Sequence, residues 1–274
     1  MKYEKIAEYS NTKFRRITGI KRAAFDKMVE ILGKGYAEKH RRRGKKPKLS
    51  IEALLLAPLE YLREYRTYAH IAASYGIAES NIYRRIKWIE DTLIRDGTFS
   101  LPGRKAPLKS ETEYEVILVD ATESPIERHK KQKRYYSGKK KRHTPKTQML
   151  VNLQAGEIIA LAFSNGKKHD FQLFKDSYIH VKAETVLEAD TGYQGLAQIH
   201  TNSLMSKKRS KHHPLTKQER KENREISRKR IFVEHSIRFL KRFRILSECY
   251  RNRRNRFALR FSLIASICNF DRLS

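Results

Sequence analysis

Apolar residues recur along this chain at two different periods, and the change of period divides it. Through the first 94 residues the spacing is helical. FRRITGIKRAAFDKMVEIL (14–32) places Phe25, Met28, Val29 and Leu32 on one face. Ser50 stands where a helix cap is wanted, ahead of IEALLLAPLEYLREY (51–65), and Pro58 inside that run predicts a kink or a break. TYAHIAASYGIAESNIYRRIKWIEDTLI (67–94) predicts a helix holding Ile71 and Ala72, then a tight turn in which Gly76 takes the left-handed conformation. A second helix follows, capped by Ser80, with Ile82, Ile86 and Ile89 inward and Arg84, Arg85 and Lys87 outward. Ala72, Gly76 and Ile82 have helix-turn-helix spacing, in which the second helix enters a major groove. An ordinary helical hairpin fits the same pattern.

Residues 95–112 carry Gly97, Pro102, Gly103 and Pro107 and predict a linker. Beyond it the apolar runs shorten and become β-branched. YEVILVDATE (114–123) predicts a strand whose apolar run closes at Asp120, and MLVNLQAGEIIALAFSNG (149–166) a hairpin around Gly156. HDFQLFKDSYI (169–179) predicts an amphipathic helix, and TVLEADTGYQG (185–195) a strand closed by Asp190. A helix-like stretch leads into KRIFVEHSIRFLKRF (229–243), a long helix carrying Glu234. At 100° per residue Phe232, Phe239, Phe243 and Leu240 form its core stripe, with Arg230, Glu234, Arg238 and Lys241 on the other side. Those charges also suit plain i,i+4 ion pairs on a solvated helix. The order β, β, β, α, β, long helix predicts a mixed α/β domain over 113–274, after an all-helical domain over 1–94.

Charge narrows the partner. The chain has 60 Lys+Arg against 30 Asp+Glu, a formal +30 on 274 residues, which calls for a polyanion. Nucleic acid is the first candidate, and on charge alone an RNA-binding protein competes. The excursion IERHKKQKRYYSGKKKRHTPKTQ (126–148) is nearly of one sign, with Arg128, Lys130, Lys131, Lys133, Arg134, Lys139, Lys140, Lys141 and Arg142 against Glu127. It predicts a loop or hairpin that tracks a phosphate backbone, in which His129 and His143 touch phosphate or nothing. A hydrophobic share of 39%, with 14 Tyr and 12 Phe, excludes a disordered basic tail. Cys249 and Cys268 lack metal-ligand spacing and read as core residues of a reducing compartment. MKYEKIAEYS has no apolar signal core and FSLIASICNF (261–270) is half a membrane span, so a soluble, cytoplasmic protein without membrane contact is expected.

Three carboxylates carry the chemistry. Ligands of open α/β sheets gather beyond the carboxyl ends of strands, where Asp120 and Asp190 are expected. With Glu234 they supply hard oxygens suited to Mg²⁺ or Mn²⁺, and two such ions can clamp the attacking and leaving oxygens of a displacement at phosphorus. A bare RNA-binding protein leaves these acids unexplained. The pair His169-Asp170 opens a helix, where capping is the first reading of an Asp and catalysis the second.

Taken with LREYRTYAHIAASYGIAESNIYRRIKWIE (62–90), VDATE, KKHDFQLFK (167–175) and ADTGYQG (189–195), these residues resemble bacterial insertion-sequence DDE transposases of the IS-four/IS-five superfamily, in the branch with an N-terminal helix-turn-helix. The resemblance implies an RNase H-like core with Asp120, Asp190 and Glu234 as catalytic triad and ligands of two Mg²⁺ or Mn²⁺ ions. It implies terminal inverted repeats and target DNA as partners, and a homodimer when two ends are synapsed. Arg230, Glu234 and Lys241 match the family's Tyr-x2-Arg-x3-Glu-x6-Lys spacing, and Ser227 departs from it at the Tyr position. The 43 residues of 191–233 leave no room for the large β-rich insertion of some relatives. A decayed DNA-binding relative and a structure-specific nuclease on the same fold share these features.

Overall fold

The computed structural model describes residues 3–40, 49–109, 113–128, 132–208, 214–252 and 254–273. Most of the basic stretch 40–50, together with His129, Lys130 and Lys131, lies outside the described residues. In chain order the elements are α1 (Tyr3–Ala7), α2 (Asn11–Thr18), α3 (Arg22–Lys39), α4 (Ile51–Glu64), α5 (Tyr68–Tyr75) and α6 (Glu79–Asp96). There follow β1 (Val116–Glu123), α7 (Gln132–Tyr135), β2 (Tyr136–Ser137), β3 (Arg142–His143), β4 (Pro145–Asn152), β5 (Ile158–Asn165) and α8 (Asp170–Asp176). Last come β6 (Val186–Ala189), β7 (Ser203–Met205), α9 (Lys217–Leu240), α10 (Arg244–Ser247) and α11 (Phe257–Leu273).

By compactness the chain forms two units. The first comprises Met1–Ser100, Leu240–Glu248 and Leu259–Ser274, and the second Leu101–Phe239 and Cys249–Ala258. The sequence reading draws a single boundary near the linker. The chain instead returns to the helical unit near its end, because α11 carries Arg260 to Glu90 of α6. That ion pair closes at 2.7 Å with both side chains almost wholly buried. The Tyr61 and Tyr68 hydroxyls lie 3.2 and 3.3 Å from the remaining guanidinium nitrogens.

In the helical unit, α4 is the central element, buried without a break from Ala53 to Leu62. Ser50 caps it, its hydroxyl accepting from the Ala53 N–H at 3.2 Å. Pro58 neither breaks nor ends it. The missing N–H costs one bond of the ladder, and close packing of every neighbouring side chain outweighs that loss. Helices α5 and α6 form the helix-turn-helix. Thr67 caps α5, and Gly76 ends it at φ 63° with its N–H donating to the Ala72 carbonyl. The second helix starts at Glu79 with Ala78 at the cap position, so Ser80 lies inside the first turn and does not cap it. Ile82, Ile86 and Ile89 are buried as their spacing requires.

The second unit is built on a five-stranded sheet of order β5-β4-β1-β6-β7, antiparallel from β5 to β1 and parallel from β1 to β7. This is the RNase H-like arrangement. Its core gathers Ile117 and Val119 of β1, Leu150 of β4, Ile159 and Ala160 of β5, Leu187 and Ala189 of β6, and Phe174 of α8. Within the described residues of the excursion 126–148, β2 and β3 form the expected hairpin after α7. Two strand readings change. Strand β4 already begins at Pro145, inside that excursion and ahead of the expected Met149. The stretch before α9 contains the short edge strand β7, whose three residues are too few to show a period.

The stripe of α9 also differs. Its buried positions are Ile226, Val233, Ser236 and Leu240, while Phe232 is 53% exposed. The helix stops at Leu240, so Phe243 lies beyond its end and gives a false phase. Of the two thiols, Cys268 is buried but Cys249 is exposed. No helix among the described residues is long and apolar enough to cross a membrane.

Candidate active site

Strand register sets the two aspartates side by side. In the parallel β1–β6 pair, Leu118 faces Glu188 and Val119 faces Ala189, so Asp120 and Asp190 follow on adjacent strands. Asp120 does not end its strand. Pairing with β4 continues through Asp120–Met149 to Glu123–Lys146, and only the β6 partner stops. Asp190 comes one residue after β6, where its Oδ1 accepts the Gly192 N–H at 2.7 Å and opens a 3-10 turn. Period-2 alternation puts Leu118 and Asp120 on the face opposite Ile117 and Val119. That face receives α9: Lys229 lies 3.4 Å from the buried Glu188, and the Arg230 guanidinium lies 3.9 Å from Asp120 and 4.0 Å from Asp190.

Electrostatics follow from this packing. Burial pushes the Asp120 carboxyl up to about 6; the Ala121 N–H and Arg230 oppose the rise, and Asp190 and Glu234 add to it. Glu188 is likewise raised by burial, with Lys229 opposing. Arg230 thus balances two carboxylates that the fold has brought together. Glu234 is within electrostatic reach of Asp120 but is itself exposed on α9. Among the described residues, no three acidic, His or Cys side chains close on a single point as ligands of one ion would.

The donor set nevertheless fits a hard cation at the Asp120–Asp190 pair. Beside it the Tyr193 hydroxyl is buried with no hydrogen-bond partner, a polar atom that an ion's water would satisfy. Burial first, then Asp170, Asp120 and Asp190, hold that hydroxyl far above the usual tyrosine range. Two neighbours of the site escape sequence reading. Lys146, buried on β4, lies 2.6 Å from the Asp170 carboxylate and donates to the Lys168 carbonyl at 2.6 Å. Asp170 is therefore not the cap of α8: His169 holds that position, and Asp170 is the first helical residue. Gly192 separates the two acids. A methyl group there would stand 2.8 Å from Asp190 Oδ1 and 3.0 Å from Asp170 Oδ2. Lys146 closes the basic excursion in sequence and follows its many other cations, so no signal singled it out.

The other expected residues fall into groups. Arg84 and Lys87 are exposed on α6 and Arg85 is half-buried. Arg128, Lys133, Arg134, Lys139, Lys140, Lys141 and Arg142 are all exposed around the β2–β3 hairpin. Arg238 is exposed on α9, and Lys241 belongs to the helical unit just past the helix end.

An RNase H-like sheet with two aspartates side by side on adjacent strands, in a chain that also carries a helix-turn-helix, defines a class of nucleic-acid enzymes. Comparison with known proteins makes the class specific. The transposase DDE domain profile matches residues 111–269, and the profile for the helix-turn-helix of DDE superfamily endonucleases matches 47–99. Over 272 residues, 99% of this chain and 98% of the relative, the chain is 44% identical to the "Probable transposase for insertion sequence element IS702" of Microchaete diplosiphon. The chain belongs to the DDE transposases.

Proposed function

We propose that this protein cuts the ends of its own insertion sequence and joins the freed 3′-OH groups to target DNA. The observation that carries the reading is the parallel register that sets Asp120 beside Asp190 with Arg230 across both. Asp120 and Asp190 would hold divalent Mg²⁺ or Mn²⁺, with Glu234 completing the set. Such ions, when bound, polarise the scissile phosphate and lower the pKa of attacking water. The chain's own groups then have separate tasks. Arg230 offsets carboxylate repulsion until phosphate arrives, then offers the same guanidinium to phosphate oxygens. Lys146 holds Asp170 against the Asp190 turn. Arg238, Lys241 and the cations of the β2–β3 hairpin position the backbone, while Arg84, Arg85 and Lys87 on α6 read the terminal inverted repeat. Two ends brought together imply a homodimer at synapsis, and the DNA substrate implies work in the bacterial cytoplasm.

A labelled duplex bearing the flanking inverted repeat tests this reading with Mg²⁺ present. Wild type should nick at the repeat boundary, whereas Asp120→Asn and Asp190→Asn should bind the duplex and leave it intact. Cleavage by either variant would remove that residue from the site. Binding without cleavage by all three proteins would count against the catalytic reading.

A further inference from the structure

The helical unit holds a cavity of about 630 Å³ whose charged walls are all of one sign. Arg15 and Arg16 of α2, Lys21 and Arg22 at the start of α3, Arg63 of α4, and Arg242 line it, with no acidic side chain among the described lining residues. Three stretches far apart in sequence, 15–22, Arg63 and Arg242, therefore aim six cations at one volume, unlike a solvated charge run, which lies along one face of one element. None of them belongs to the helix-turn-helix.

Several features show that the cluster is built. Gly19, at φ 85°, lies where any side chain would collide with Arg63: a methyl group would stand 2.8 Å from Arg63 Cδ. The glycine thus lets the arginine stem cross the backbone. Arg63 donates from Nη1 to the Arg242 carbonyl, while its Nε is buried without a partner. Arg22 is fixed by the Tyr9 carbonyl at 2.7 Å, by Asn11 Oδ1 at 3.1 Å, and over the Phe14 ring at 4.3 Å. Asp271 accepts the Lys21 N–H through both oxygens at 3.0 Å, anchoring the start of α3. Desolvation, and then the like charge of Arg15, hold the Arg242 guanidinium below its ordinary pKa. Arg63 acts in the same direction, against Cys268 and Asp271. Like charges crowded in this way are relieved by an anion.

We propose that this cavity is a phosphate-binding site and that a duplex backbone phosphate occupies it when the protein holds DNA. The second half of the proposal rests on the transposase reading above. Such an interaction is independent of base sequence, so it adds affinity and fixes orientation, while discrimination stays with α6.

The test uses the full-length protein and the paired variant Arg16→Gln/Arg242→Gln, with Arg16→Gln alone as a milder version. Duplex affinity is measured by anisotropy across a salt series, for one duplex carrying the inverted repeat and one of random sequence. The paired variant should weaken binding of both duplexes by the same factor. It should also flatten the slope of log K against log salt by about 0.9 for each phosphate that the protein no longer neutralises. Arg84→Gln, in contrast, should narrow the gap between the two duplexes. An unchanged slope in a variant that melts like wild type would overturn the DNA half.

Inorganic pyrophosphate alone probes the site without DNA. A rise in the wild-type melting temperature that disappears in the paired variant supports a phosphate site. No rise, together with an unchanged salt slope, overturns the proposal entirely. If wild type fails to bind any duplex, the transposase reading fails, and the pyrophosphate arm alone decides whether the cavity takes a free phosphate.

Discussion

Asp120 is a buried carboxyl whose pKa of about 6 lies above the value of roughly 3.9 expected in an unfolded chain. Between those values the folded protein holds a proton that the unfolded chain has released. Stability is therefore lost as pH rises through this window, and above it the full cost is present. Asp120→Asn removes a charge that burial disfavours. In metal-free buffer it should stabilise the protein at pH 8 by as much as about 3 kcal/mol and leave stability near pH 4 unchanged. Equal melting shifts at both pH values would show that Asp120 does not titrate as a buried acid. At Gly192 the effect is steric. Gly192→Ala drives a methyl group between the Asp190 and Asp170 carboxylates, and displacement on the scale of 1 Å can cost about a hundredfold in rate. Cleavage should fall by that order while duplex affinity and melting temperature hold. Asp120 and Asp190 stood out because each follows an apolar run with a strand's pattern, although only Asp190 comes after a strand end and Asp120 lies inside β1. Tyr193, Lys146 and the role of Asp170 were not, because their meaning arises from contacts across 24 residues or more of chain, or from a missing partner.

At the scale of elements, the helix-turn-helix depends on a partner remote in sequence. Arg260 of α11 and Glu90 of α6 are both buried, and breaking such a pair by removing one member costs about 3–5 kcal/mol, since the other charge stays buried alone. Arg260→Ala should lower stability by that amount and weaken DNA binding with it. The double change Glu90→Gln/Arg260→Leu should recover much of the loss, because no naked charge remains. Urea denaturation of the three variants decides this, and a double variant no better than the single would refute the pairing argument. Helix periods located α6 well, since it has a sharp apolar face, whereas the helical run 14–32 divides at Gly19 into α2 and α3; the Ser50 and Gly76 signals ended up where cap and turn were needed. On α9 the same period gave a false phase: Phe243, beyond the helix end, pulled it from Val233 onto the exposed Phe232, although Leu240 is buried as expected.

For the whole molecule, a chain cut before α11 should lose both cooperative unfolding and duplex affinity, although the helix-turn-helix lies within the first 100 residues. A fragment of residues 1–100 that bound DNA as tightly as the full chain would show that α11 is dispensable. No periodicity argument could have predicted this grouping, because the sequence pattern marks where an element begins and ends but not which unit it joins. The cation cavity was hidden for the same reason: Arg15 and Arg63 meet Arg242 only once Leu240–Glu248 has joined the N-terminal helices.

That divided construction has a consequence during synthesis. The N-terminal helices leave the ribosome early, yet roughly 140 residues separate Ser100 from the next piece of their unit. At typical translation speeds of about 5–20 residues per second, they wait between roughly 7 and 28 s for Leu240–Glu248, and slightly longer for Leu259–Ser274. Until then Glu90 has no arginine. A nascent chain that still lacks Leu259–Ser274 should therefore bind duplex DNA more weakly than finished protein, so that translation would time the first encounter with DNA.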